Sequence, residues 1–173
     1  MNKYSFFLNR VLSIICIICI LCTLLSGCYS FTGGTVPEHL KTISIGFASD
    51  NSGFGNPRFR DILTQRLVER FRNDNTFVLI DAGGDARLQP VITSIADATV
   101  TVSPGEVERE RKMTVSIEVE YTDAVKKKTV WKRIFSNFQV YQISQGQQAR
   151  ESAVEAAIGQ LCEDILLGVV SGW

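Results

Sequence analysis

Histidine is nearly missing from this chain, with His39 as its only representative. A Ser-His-Asp triad, a Cys-His pair and a histidine-based metal site all need an imidazole in a built site. His39 falls instead in a stretch that reads as a solvated tether. An excess of one charge is missing too: 18 basic residues face 18 acidic ones, which gives no footprint for bulk nucleic-acid binding. Cysteine is scarce where it could form a disulfide. Cys16, Cys19 and Cys22 lie in an apolar leader and Cys28 at its end, so Cys162 stands alone in the rest of the chain. An intramolecular disulfide is therefore excluded there even in an oxidising compartment. Cys162 sits between Ile158, Leu161, Ile165 and Leu166 at helical spacing and reads as a small buried hydrophobe. Internal repeats and low-complexity tracts are also absent.

What is present begins with the leader. Lys3 and Arg10 precede the apolar run Val11 to Leu25, and Leu25-Ser26-Gly27-Cys28 follows as a lipobox. The run is shorter than the roughly 20 residues a spanning helix needs. The expectation is a signal peptide over 1–27, cleavage after Gly27, and acylation of Cys28. Several acyl chains, at about 0.8 kcal/mol per buried methylene, make a stable anchor. With Lys3 and Arg10 removed, acidic residues outnumber basic ones by two. Residues 28–40, with Gly33-Gly34 and Pro37, read as a short acylated tether, and 41–173 as a single domain.

Within that domain, Lys41 to Ala48 alternates Ile43, Ile45 and Phe47 against Thr42, Ser44 and Gly46, the period of a half-buried strand. Asn56-Pro57 is a helix start, followed by the stripe Phe59, Ile62, Leu63, Leu67 and Phe71 and a stop at Asn73-Asp74-Asn75. Thr76 to Ala82 reads as a short strand. Asp81 and Asp85 around Gly83-Gly84 read as ordinary turn formers and not as a cation site. Three meandering strands follow. Leu88 to Val102 puts Ile92, Ala96, Val100 and Val102 on one face; its Pro90 suggests a start at a sheet edge. Met113 to Tyr121 alternates most clearly, with Met113, Val115, Ile117, Val119 and Tyr121 inward. Thr129 to Ile143 is apolar on both faces. Gln148 to Val170 closes the chain as an amphipathic helix. The element order implies an α+β two-layer sandwich, with two amphipathic helices on one face of a four- to five-stranded mixed sheet.

Three clusters are candidate binding features. Arg109, Arg111 and Lys112 follow the turn Ser103-Pro104-Gly105, while Lys126, Lys127 and Lys128 occupy the next turn, at the opposite end of the meander. Such cations can hold lipid phosphates through charge-assisted hydrogen bonds, or serve as solubilising charge among Glu106, Glu108 and Glu110. Trp131, Phe135 and Tyr141 share one strand face with Arg133, Asn137 and Gln139. That face fits a partner-binding patch or a strand covered on both sides. No spacing asks for a metal or cofactor.

The chain resembles the lipopolysaccharide-assembly lipoprotein LptE family. The residues that carry the resemblance are Gly27-Cys28-Tyr29-Ser30-Phe31 with Gly34 and Pro37; Lys41-Thr42-Ile43-Ser44-Ile45; Asn56-Pro57 leading into Leu63, Leu67 and Phe71; Leu79-Ile80-Asp81 with Gly84-Asp85-Ala86 and Leu88; and the closing helix through Leu161 and Asp164-Ile165 to Trp173. Specificity lies in their joint order, since none is a catalytic signature. The resemblance implies a lipid-anchored protein at the periplasmic face of the outer membrane, without turnover chemistry. Its partners would be lipopolysaccharide and the large β-barrel LptD, in which it would sit as a plug. Tyr29 after the lipid cysteine fits outer-membrane sorting. The alternative expectation is a lipoprotein adaptor of another envelope complex that binds protein only; a small anchored hydrolase is disfavoured by the lone tether histidine.

Overall fold

The computed structural model describes residues 36–100 and 109–171. The leader, Cys28, the first part of the tether, Val102 with the Ser103-Pro104-Gly105 turn, Glu106 and Glu108, and the terminal Gly172-Trp173 lie outside the described residues. The elements run β1 (Thr42–Ile45), β2 (Ser49–Asp50), α1 (Arg58–Asp74), β3 (Val78–Leu79), β4 (Ala86–Thr99), β5 (Glu110–Asp123), β6 (Lys128–Gln142), a 3-10 turn (Ile143–Gln145) and α2 (Gly146–Val170). The sheet order is β3-β1-β4-β5-β6, and β2 pairs with β4 beyond the end of β1. Pairs involving β1 and β2 are parallel, whereas β4, β5 and β6 form an antiparallel meander. This is the expected α+β two-layer class, with α1 and α2 packed together, α1 against β1 and β3 and α2 against β5 and β6.

Local chemistry sets the helix boundaries. The Asn56 Oδ1 accepts from the Arg58 N–H at 3.1 Å, next to the fixed φ of Pro57. At the other end Asn75 takes the left-handed conformation at φ 60° and stops α1. Phe59, Leu63, Leu67 and Phe71 are buried along α1, and Val154, Ile158, Leu161, Ile165 and Val169 along α2. The helices are tied by Arg58 to Glu155 at 2.9 Å, Arg70 to Glu163 at 2.8 Å, and the Arg66 guanidinium donating to the Glu155 carbonyl at 2.6 Å. A Cβ at Gly159 would come within 2.6 Å of that guanidinium, so glycine leaves room for it.

Four expectations are corrected. Phe47 is 87% exposed, because β1 ends at Ile45 and the chain turns outward before β2. Thr76 to Ala82 yields only the two-residue β3. Pro90 is not at an edge: β4 is central and Pro90 is buried. The carbonyls of Leu88 and Ile92 accept from Gly46 and Asn51, so position 90 points the same way, into the gap between β1 and β2 where no donor is needed. Ala96 does not share the inward face with Ile92. A bulge between Ile92 and Ser94 shifts the alternation by one residue, placing Ile95 and Asp97 inward and Ala96 outward.

Candidate functional site

The two basic clusters sit at opposite ends of β5, as expected, in different electrostatic settings. At the end where Val36–Leu40 enters, the folded unit reaches back further than Lys41, since Leu40 is in the core. His39 is not a solvated tether residue: its Nε2 lies 2.7 Å from the Asp123 Oδ2. The other oxygen of Asp123 accepts from the Lys126 N–H at 2.8 Å. Burial of Asp123 opposes its charge, but the His39 bond, the Lys126 N–H and both neighbouring positive charges outweigh it, and the carboxyl is held below its usual range. Asp85 fixes the same corner. Its Oδ2 accepts from the Thr42 hydroxyl at 2.8 Å and from the Thr42 and Lys41 N–H groups at 3.0 and 3.1 Å, and these bonds lower its pKa. Lys126, Lys127 and Lys128 project outward, with Lys127 at φ 52°. A cleft of about 370 Å³ beside them is lined by Arg87, Gln89, Glu120, Thr122 and Lys127.

At the far end one carboxylate collects three donors. Asp97 accepts from the Arg111 Nε at 2.8 Å, the Arg150 Nε at 2.9 Å and the Tyr141 hydroxyl at 3.0 Å. Arg150 also stacks over Phe54 at 4.6 Å. Burial, then the bond to Asp97 and its charge, push the Tyr141 phenol up. Arg109 is exposed, and the Lys112 ammonium lies 5.1 Å over the Phe138 ring.

The strand register settles which face the aromatic stripe occupies. Trp131, Phe135 and Tyr141 oppose Tyr121, Ile117 and Arg111 and lie on the helix side. Trp131 is buried, with ring centroids 5.4 Å from Tyr121 and 6.0 Å from Phe135, and a Cβ at position 168 of α2 would meet the Phe135 ring at 3.1 Å, a tight contact that glycine avoids. The other face of β6 is the open one. Ile134, Phe138 and Val140 are 64, 55 and 46% exposed there. The sequence showed these residues as one of two apolar faces, and the sign that they face outward was β6 being an edge strand with α2 beneath it.

Among the described residues no group of three or more His, Cys, Asp or Glu could hold a metal. Cys162 is fully buried, and burial pushes its thiol up to about 12, which suppresses the reactive thiolate. Among the described helices none is long and apolar enough to cross a membrane.

The fold is shared with solved bacterial proteins, among them lipoproteins. Rare lipoprotein B from Shewanella oneidensis is similar at 18% identity and a TM-score of 0.55, over 76% of this chain and 96% of that one. A minor lipoprotein from Acinetobacter baumannii matches at 14% and 0.53, over 77% and 94%. PelC from Paraburkholderia phytofirmans matches at 10% and 0.54, over 79% and 93%. No curated protein matches the chain in sequence. Residues 40–167 match the LptE family, described as lipopolysaccharide-assembly, and the chain belongs to that family.

Proposed function

We propose that this protein is a lipid-anchored lipoprotein of the outer membrane, facing the periplasm, which seats in an LptD-type β-barrel as a plug and assists lipopolysaccharide assembly without turnover chemistry. Removal of residues 1–27, acylation of Cys28, a tether over 28–40 whose His39 and Leu40 pack onto the body, and one LptE-like domain over 41–173 belong to the same reading. The family match over residues 40–167 is the observation that carries it. The surfaces support it. Lipopolysaccharide combines phosphates with acyl chains, and the far end sets Lys112 beside the exposed Phe138 and Val140 on the open sheet face, with Arg109 exposed just before β5. Arg111, already held by Asp97, shapes that end more than it offers a free charge. Partner binding draws on β6, where Trp131, Phe135 and Tyr141 hold the strand toward α2 while Ile134, Phe138 and Val140 face outward.

Affinity purification of the acylated chain from detergent-solubilised membranes tests this. The expected result is co-elution of a large outer-membrane β-barrel with lipopolysaccharide. The double variant Arg109→Gln, Lys112→Gln should retain the barrel and bring down less lipopolysaccharide. Recovery of a different envelope complex would overturn the barrel assignment, and unchanged lipopolysaccharide in the variant would overturn the role of the far end.

A further inference from the structure

The entry end of the sheet gathers unpaired cations while most of its carboxylates are engaged by hydrogen bonds. Lys41, Arg87, Lys126, Lys127 and Lys128 are exposed, and none forms an ion pair with a described residue. Asp85 is occupied by Thr42 and Lys41, and Asp123 by His39 and the Lys126 N–H. Glu120 accepts from the Thr129 hydroxyl and sits near Lys132, which leaves Glu38 in the entry segment and Asp81 in the β3–β4 connection as exposed carboxylates against five exposed cations. Among the described residues the far end offers fewer such cations, Arg109 and Lys112, since Asp97 takes up both Arg111 and Arg150.

The same contacts fix where the chain arrives. The His39–Asp123 pair holds the segment after Val36 against the turn that carries the three lysines. Eight residue steps separate Cys28 from Val36, a reach of about 28 Å at full extension. Acyl chains on Cys28 would keep the entry end within that distance of the bilayer surface. β5 spans roughly 43 Å, which sets the far end well away from the entry point.

Resting on the lipid-anchored reading above, we infer that Lys126, Lys127 and Lys128, with Arg87 and Lys41 beside them, dock on anionic glycerophospholipid headgroups of the membrane that holds the Cys28 acyl chains. A lysine near an anionic surface favours the bound state by about fivefold, and three together by about a hundredfold. The effect falls off within a Debye length, so it is sensitive to salt. The docked turn leaves lipopolysaccharide contact to the far end.

The test uses limited trypsin digestion of the acylated full chain added to preformed vesicles, read by mass spectrometry. Three compositions are compared: phosphatidylcholine alone, phosphatidylcholine with phosphatidylglycerol, and phosphatidylcholine with lipopolysaccharide. Cutting after Lys126, Lys127 and Lys128 should slow about tenfold or more on phosphatidylglycerol vesicles and recover in high salt, while cutting after Arg109 stays unchanged. Equal cutting on the first two compositions, with the protein floating with both, overturns the docking proposal alone. Protection on lipopolysaccharide vesicles only also overturns it and assigns the turn to the transported lipid. A protein that fails to float even with phosphatidylcholine vesicles defeats the anchored reading, and the proposal with it.

Discussion

Single residues at the entry corner couple stability to pH. Asp85 and Asp123 both have folded pKa values below their ordinary value, through the Thr42 and Lys41 bonds in one case and, against burial, the His39 and Lys126 contacts in the other. A depressed carboxyl contributes stability that is whole above the unfolded value, about 3.9, and is lost as pH falls through the folded value. Asp85→Asn and Asp123→Asn should therefore lower the melting temperature at neutral pH and flatten its decline between about pH 5 and pH 2. Circular dichroism melts across that range check this, and an acid decline as steep as in the unsubstituted protein would contradict it. His39 shows why the sequence could not reveal the corner: its partner lies 84 positions away, and neither residue sits in a motif. Cys162 was legible, because its apolar neighbours recur at helical spacing and local periodicity suffices to predict burial.

Among the elements, those with a strong single period were readable and those shaped by neighbours were not. The α1 stripe, the α2 stripe and the alternation of β5 appear where the sequence places them. The bulge in β4 has no signature in its residues, so Ala96 was assigned inward and Asp97 outward, the reverse of their places. The face of β6 was ambiguous for a related reason: both its sides are apolar, and only the position of α2 decides which one is covered. The α2 assignment can be tested directly. Ile165 is fully buried, and Ile165→Asp should destabilise the domain by about 4 kcal/mol or more by placing an unpaired charge in the core. Leu167, 60% exposed two positions on, should tolerate the same change within about 0.5 kcal/mol. Chemical denaturation of both variants measures the contrast, and similar losses would mean the helix faces the sheet with a different side.

Over the unit as a whole, one sheet combines two kinds of pairing. β5 and β6 meet across the short turn after Asp123, whereas β1 must find β4 across the roughly forty residues between Ile45 and Ala86. Loop-closure entropy makes the longer search costlier by about 2 kcal/mol. The meander should therefore form before the parallel strands join it. Pulse-labelled hydrogen exchange should find the amides of Val115 to Val119 protected earlier than those of Ile43 to Ile45, and simultaneous protection would refute this order. The clasp between His39 and Asp123 then acquires a place in time: Asp123 belongs to the part that forms early and His39 to the stretch that arrives late. The sheet is completed by β1, which follows Cys28 in sequence, so under the anchoring proposed above closing the fold would also draw the body toward its point of attachment.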